Sequence, residues 1–167
     1  FENSFTEIIK KIFIDPKNEI FAIDGKTLRG SGNSADLKAP IHLLNVWAVK
    51  NGLSIAQLEI DAKTNEITAV PTIIEQIDIK GGTVTTDALN CQTEIAEKII
   101  DAGADYVLAV KGNQKGLFNS IIKEFEENLP DETSDNFYQT IEKGHGRVDT
   151  RSYYSMNIGD WLPNSDK

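Results

Sequence analysis

Three strand-like runs of apolar residues lie in the first part of the sequence, before any clear alternation of helix and strand. The runs cover Glu19–Asp24, Ile41–Val49 and Leu53–Ile60. Asn51-Gly52 between the second and third runs is a strong signal for a tight hairpin turn. The three strands are therefore predicted to form an antiparallel meander, which restricts the chain to folds that begin in this way.

The next part of the chain alternates between the helical and the strand period. Apolar residues recur at helical spacing in Ile67–Ile77, where Pro71 is predicted to lie in the first turn, and again in Thr93–Ala102. Thr83–Asp87 is a β-branched run, and Tyr106–Val110 is a continuous apolar run of the kind found in buried parallel strands. A further helix is predicted after the last of these strands.

The resulting order, β-β-β-α-β-α-β-α, predicts a mixed α/β sheet of the ribonuclease H-like type. In that topology the first and fourth strands lie side by side at the centre of the sheet. The predicted domain organisation is an N-terminal linker helix (1–18), a ribonuclease H-like core (19–130), and a β-rich extension or the start of an insertion region (131–167).

Two aspartates stand at the ends of strand-like runs, Asp24 in FAIDG and Asp87 in TVTTD. Because the first and fourth strands are predicted neighbours, the two carboxylates are expected to meet at one edge of the sheet. Paired carboxylates repel each other without a cation, and their oxygens are the ligands that Mg²⁺ and Mn²⁺ prefer. The pair therefore predicts a divalent-metal site. In the alternative interpretation, Asp24-Gly25 is a hairpin turn and Asp87 caps the helix that follows.

Cations and amides follow both predicted strand ends. Lys26 and Arg29 come after Asp24, and Lys111-Gly112-Asn113-Gln114 comes after the fifth strand at the same edge of the sheet. These side chains can donate hydrogen bonds to phosphates or to base edges. The candidate nucleic-acid contacts are Lys26, Arg29, Lys111, Asn113 and Gln114. A solvated polar turn is the alternative for both segments.

The tail is predicted to form two strands, Tyr138–Glu142 and Arg147–Met156, around a Gly-His-Gly turn. In the second strand Arg147, Asp149 and Arg151 share one face. The row is interpreted either as a self-contained set of salt bridges or as a strip that grips a phosphate backbone. Arg147 and Arg151 are therefore further candidate DNA contacts.

Composition limits the partners and the compartment. The formal net charge of −9 argues against a surface that coats itself in nucleic acid, so contact with DNA is expected to be local. Cys91 is the single cysteine, which excludes an internal disulfide and fits a reducing cytosol. No apolar run reaches the ~18 residues of a membrane span, so no membrane partner is expected. A chain that begins at Phe1 rather than Met is expected to be a fragment of a longer protein.

Four motifs resemble, in order, those of the H-repeat-associated insertion-sequence transposases, which are DDE transposases with a ribonuclease H-like catalytic core. They are IDGKTLRGS, KTNEITAVPTIIEQIDIKGGTVTTDALNCQ, GADYVLAVKGNQ and GHGRVDTR, and the resemblance extends from Ile20 to Tyr154. It implies that Asp24 and Asp87 are the first two catalytic acids. It also implies Mg²⁺ or Mn²⁺ as cofactor, and hydrolysis at transposon ends followed by attack of the freed 3′-hydroxyl on target DNA. The full-length protein is expected to be a homodimer in the bacterial cytoplasm, associated with the nucleoid when bound to DNA.

The sequence departs from the family pattern at the third acid. The resemblance places that acid in a later helix with a His-Trp-x-Ile-Glu-Asn type motif, which does not occur before Lys167. The family also has Glu in its His-Gly-Arg-x-Glu-x-Arg motif where this sequence has Asp149, which makes Asp149 the alternative third acid. The first placement predicts that the chain is inactive by itself. The rival functions are an inactive remnant that only binds DNA or protein, and a Mg²⁺-dependent nuclease on the same fold.

Overall fold

The chain divides into two units, Phe1–Gln114 and Lys115–Lys167. The computed structural model describes residues 15–32, 40–60, 66–144 and 146–157. The amphipathic helix predicted at the N-terminus falls on residues 1–14, which lie outside these ranges. His145, in the predicted Gly-His-Gly turn, lies outside them as well.

A five-stranded mixed sheet is the framework of the first unit. Its strands in chain order are β1 (Ile20–Thr27), β2 (His42–Ala48), β3 (Leu53–Ile60), β4 (Thr83–Thr86) and β5 (Asp105–Leu108). Their order across the sheet is β3-β2-β1-β4-β5, with β1 antiparallel to β2 and parallel to β4. A meander that leads into parallel αβ units, with β1 beside β4, is the ribonuclease H-like arrangement. The predicted fold class is therefore confirmed.

The core of the first unit follows from side-chain alternation along the central strands. In β1, Phe21 and Ile23 turn to one face and are buried, while the residues between and after them are more exposed. Two helices, α1 (Glu66–Ile74) and α2 (Thr93–Asp101), contribute further buried apolar side chains to the same cluster. These include Val70, Ile73, Ile95 and Ile99. This packing fixes the positions of β1 and β4, the strands that carry the candidate site described below.

A buried carboxylate ties the start of β1 to the turn between β2 and β3. Glu19 accepts hydrogen bonds from the backbone N–H groups of Ile20 and Lys50, each at 2.8 Å, and from that of Asn51 at 3.2 Å. The Asn51 side-chain amide donates to the same carboxylate. Gly52 completes the turn with a φ of +64°, as the Asn-Gly signal in the sequence predicts.

The second unit contains a helix, α3 (Lys115–Glu127), and a two-stranded antiparallel hairpin. The hairpin strands are β6 (Phe137–Gly144) and β7 (Arg147–Tyr154). Phe137 and Tyr154 are cross-strand partners, and their rings lie 5.1 Å apart between centroids. Within the described ranges, none of the helices has the length and apolar character needed to cross a bilayer.

Two local predictions are wrong. Pro71 is the sixth residue of α1, not part of its first turn, so its missing N–H interrupts the helical hydrogen-bond pattern. The helix ends at Ile74 because the next turn tightens, with Ile77 donating to the carbonyl of Ile74 at 3.3 Å. The fifth strand is not buried: Val107 is 62% exposed, since β5 stands at the edge of the sheet and pairs with β4 alone.

Candidate metal centre

The register between β1 and β4 brings the two predicted acids to neighbouring positions. Ile23 is the partner of Thr86, which is the last pair in the parallel ladder. The next residue on each strand is an aspartate, Asp24 on β1 and Asp87 after β4. Neighbouring strands run about 4.8 Å apart, so the two carboxylates originate from adjacent points of the sheet.

The Asp87 carboxylate is held by the turn that follows it. Its Oδ1 accepts hydrogen bonds from the N–H groups of Leu89 at 3.1 Å and Asn90 at 3.3 Å, and from Asn90 Nδ2 at 3.2 Å. It does not cap α2, whose N-cap residue is Gln92. Within the described ranges no donor reaches Oδ2 of Asp87. One oxygen therefore fixes the side chain, and the other is available to a ligand.

The Asp24 side chain is exposed and takes part in no hydrogen bond or ion pair with the described residues. The alternative of a hairpin turn at Asp24-Gly25 is wrong, because β1 continues through both residues to Thr27 and pairs with β2. Asp24 thus comes one residue after the last pair of the ladder with β4, but it lies inside the ladder with β2. Its carboxylate is an exposed oxygen ligand with no competing partner in the described part of the chain.

Sequence reasoning missed the polar neighbour of Asp24. Asn45 lies directly opposite Asp24 on β2, and its Oδ1 accepts hydrogen bonds from Ser54 Oγ at 2.5 Å and Gln57 Nε2 at 3.3 Å. A polar row therefore crosses the sheet from Asp87 through Asp24 and Asn45 to Gln57. The hairpin signal at residues 51 and 52 predicts that β2 and β3 pair, but it does not give the position of Asn45 opposite Asp24, which depends on the separate pairing of β1 with β2.

The cations predicted to accompany the acids form no ion pair with them in the described structure. Lys26 is two residues after Asp24 on the same strand, so both project from the same face of β1. Lys26, Arg29 and Lys111 are exposed, and none of them pairs with a described carboxylate. These three side chains remain available to an anionic ligand.

Asn113 and Gln114, the two amides predicted to contact nucleic acid, differ from the cations because they form hydrogen bonds within the protein. Asn113 Nδ2 donates to the carbonyl of Ala88 at 2.6 Å, and Gln114 Nε2 donates to the carbonyl of Cys91 at 2.8 Å. Both amides belong to a short 3₁₀ turn, Gly112–Gln114, after β5. They contact the loop that follows Asp87, a long-range contact that the local sequence does not indicate.

The arginines of the hairpin form a row of salt bridges. Arg147 Nε lies 3.0 Å from Asp149 Oδ2, and Arg151 lies 2.7 Å from Glu142 Oε2 and 4.0 Å from Asp149 Oδ2. This arrangement agrees with the first interpretation of the sequence, a self-contained set of salt bridges. Binding of phosphate by Arg147 and Arg151 would use the guanidinium donors that these pairs leave over.

The two aspartates offer some, but not all, of the ligands that a divalent cation needs. Asp24 and the free oxygen of Asp87 are hard oxygen ligands of the kind that Mg²⁺ and Mn²⁺ take. Across the described ranges, no group of three or more His, Cys, Asp or Glu side chains is arranged to hold a metal ion. The two aspartates are therefore two candidate ligands, and a complete site would need at least one more.

Together, the fold and the site define a ribonuclease H-like domain in which an aspartate follows the last ladder pair on each of the two central parallel strands. The chain also matches the family described as "Transposase DDE domain" over residues 15–154. It belongs to the DDE transposase family, as the motifs in the sequence predicted.

Two relatives from Escherichia coli (strain K12) support this assignment. "Putative transposase YncI" is 39% identical over 158 residues, which cover 95% of this chain and 64% of that protein. "H repeat-associated putative transposase YhhI" is 39% identical over 166 residues, which cover 97% of this chain and 43% of that protein. The chain thus spans about half the length of these relatives. Among solved structures, the cryo-EM structure of a piggyBac transposase synaptic complex with hairpin DNA has a TM-score of 0.49 at 12% identity, covering 75% of this chain and 29% of that chain.

Proposed function

We propose that the chain is the catalytic-core part of a DDE transposase that cleaves and joins DNA strands by metal-dependent phosphoryl transfer. The observation that carries this proposal is that Asp24 and Asp87 each come one residue after Ile23–Thr86, the last pair between β1 and β4. Family membership supports the same activity. The protein would act in the bacterial cytoplasm on transposon ends and target DNA, bound to the nucleoid while it does so, and as a homodimer when full length.

Asp24 and Asp87 would hold Mg²⁺ or Mn²⁺. When bound, the metal would activate the attacking oxygen and stabilise the leaving oxygen in phosphoryl transfer. The chain's own part is to keep two carboxylates at adjacent positions, one of them fixed through Oδ1 by the turn after β4.

We propose that the third acid is the one in the helix with the His-Trp-x-Ile-Glu-Asn type motif that the family resemblance implies. Asp149 is the alternative, but its carboxylate lies between two arginines at 3.0 and 4.0 Å. To act as a metal ligand, Asp149 would have to exchange these partners for the cation. With two of three acids, the chain by itself is expected to bind metal weakly and to leave DNA uncut.

DNA contacts are assigned first to Lys26, Arg29 and Lys111, since their cations have no ion-pair partner among the described residues. Asn113 keeps one amide N–H for a further contact. Local contacts of this kind are compatible with a net charge of −9, because they need a favourable field only where the phosphates meet these side chains. Arg147 and Arg151 are proposed as secondary contacts through their remaining donors.

Two other functions would use the same surface. An inactive remnant would bind DNA or protein without holding metal, and a Mg²⁺-dependent nuclease would cleave DNA without joining strands. The exposed, unpaired Asp24 argues for a metal role, because a carboxylate that faced DNA alone would repel the phosphates. The metal-binding experiment separates the remnant from the two enzymes.

The test is Mn²⁺ titration by calorimetry on the chain and on Asp24→Ala and Asp87→Ala, with Asp101→Ala as the matched control. Asp101 is an exposed aspartate at the end of α2. Each site variant is expected to weaken binding by at least about tenfold, which is about 1.4 kcal/mol, and the control is expected to bind as the unmodified chain does. Binding that is indifferent to both site variants would contradict the proposal.

A further inference from the structure

The turn after β5 is joined to the loop after β4 by two side-chain amides. Asn113 Nδ2 donates to the carbonyl of Ala88 at 2.6 Å, and Gln114 Nε2 to that of Cys91 at 2.8 Å. Gln114 Nε2 also donates to Oε1 of Gln92 at 3.2 Å. These three hydrogen bonds are termed the amide clasp.

The loop held by the amide clasp is the one that fixes Asp87. The N–H groups of Leu89 and Asn90 donate to Asp87 Oδ1, and Asn90 is 1% exposed. The clasp binds the carbonyls of Ala88 and Cys91, which flank these two donors on either side. A hydrogen bond at each end of the turn limits the motion of the donors and hence of the Asp87 carboxylate.

A direct role of both amides in phosphate binding is disfavoured by their hydrogen-bond inventory. The phosphate oxygens of DNA only accept hydrogen bonds, so an amide side chain must use its N–H groups to contact them. Gln114 makes two hydrogen bonds through Nε2, which has two hydrogens, and Asn113 makes one through Nδ2. In the segment Lys111–Gln114, the lysine remains available to a phosphate while the amides are engaged within the protein.

We infer that Asn113 and Gln114 are positioning residues that hold Asp87 in place for the metal. This inference rests on the proposed function, because it takes Asp87 to be a metal ligand. A ligand that is already fixed binds a cation with less ordering, and partners of metal ligands typically affect affinity strongly. Loss of the clasp is therefore expected to loosen the loop first and to weaken metal binding as a consequence.

Cys91 provides a probe of the loop that does not depend on metal. It is the single cysteine of the chain, it is 8% exposed, and its own carbonyl accepts the Gln114 bond. Asn113→Asp and Gln114→Glu keep the side-chain shape and remove the donor. Each is expected to accelerate alkylation of Cys91 by iodoacetamide in the folded chain by about fivefold, the effect of losing roughly one net hydrogen bond.

Two control variants make the same substitutions elsewhere. Asn128 donates to Glu124 at 2.9 Å and Gln139 donates to Ser152 at 3.1 Å, both at exposed sites. Asn128→Asp and Gln139→Glu are expected to leave the alkylation rate unchanged. Urea unfolding of every variant separates local opening from a loss of global stability. A Cys91 rate that is the same in the clasp variants and the unmodified chain would overturn the inference.

Mn²⁺ titration of the same variants tests the positioning role. We expect about fivefold weaker binding in Asn113→Asp and Gln114→Glu, with both aspartates intact. Faster alkylation with unchanged Mn²⁺ affinity would overturn the positioning role. If the unmodified chain binds no Mn²⁺, the proposed metal site fails and the positioning role for a metal fails with it. Hydrogen exchange at Leu89 and Asn90 then decides whether the clasp holds the loop after β4: faster exchange in the clasp variants supports this structural part, and unchanged exchange overturns it.

Discussion

Glu19 shows how a single buried charge can stabilise a turn. It is 1% exposed, and burial alone raises the pKa of such a carboxyl. The hydrogen bonds from Lys50, Asn51 and Ile20 outweigh burial, so the pKa lies below its ordinary value of 4.5. Because the folded state has the lower pKa, the stabilisation is complete above the unfolded-state pKa and is lost as the pH falls through the folded-state value.

Glu19→Gln is therefore expected to lower the free energy of unfolding by about 1–3 kcal/mol at about pH 7, since the amide cannot accept all four hydrogen bonds. The difference from the unmodified chain should be smaller at a pH below 4.5, because the stabilisation by the ionised Glu19 carboxylate is lost as the pH falls. Urea unfolding at both pH values measures this. Glu59→Gln, at an exposed glutamate of β3, is the control. If the difference in the free energy of unfolding between Glu19→Gln and the unmodified chain does not change with pH, the ionised Glu19 carboxylate is not the source of the stabilisation.

Thr86 carries a buried hydroxyl beside the proposed site. The residue is 8% exposed, and no described group forms a hydrogen bond with its Oγ1. A buried polar atom without a partner costs free energy, so replacing the hydroxyl by a methyl group removes a penalty. We expect Thr86→Val to raise the free energy of unfolding by up to about 1 kcal/mol in urea. Destabilisation instead would show that the hydroxyl is paired in solution.

At the scale of elements, the β6–β7 hairpin carries a row of exposed salt bridges, of which one joins its two strands. Asp149 lies between Arg147 and Arg151, and Arg151 also reaches Glu142 across the hairpin. Exposed pairs of this kind contribute about 0–1 kcal/mol each, so the row stabilises the hairpin only modestly. Its carboxylates are occupied by arginines, which distinguishes Asp149 from the unpaired Asp24.

Asp149→Asn tests whether the hairpin supplies a metal ligand. Because the salt-bridge row accounts for the contacts of Asp149, we expect Mn²⁺ affinity to be unchanged and stability to fall by no more than about 1 kcal/mol. Calorimetry and urea unfolding on the same preparation measure both quantities. Weaker Mn²⁺ binding, comparable to that of Asp24→Ala, would instead identify Asp149 as the third acid.

For the whole molecule, the sequence predicts the features of the fold that depend on hydrophobic periodicity and on turns. It does not predict the contacts that join segments distant in the chain. The Asn51-Gly52 turn and the change of period were sufficient for the strand order, and hence for the neighbouring positions of Asp24 and Asp87. The amide clasp joins residues more than 20 positions apart, and no local pattern encodes it. The exposure of β5 was missed because an apolar run does not show whether a strand is central or at an edge.

DNA binding by the whole chain should depend on a few local cations, because the formal net charge of −9 opposes long-range attraction. Each phosphate neutralised on duplex DNA contributes about −0.9 to the slope of log K against log salt. We expect Lys26→Gln to reduce that slope by about 1, as measured by fluorescence anisotropy of a labelled duplex between about 50 and 200 mM salt. Lys123→Gln is the control, because Lys123 already pairs with Glu127 at 3.7 Å. An equal reduction in both variants would mean that binding follows net charge, and that the cations beside the acids form no specific phosphate contact.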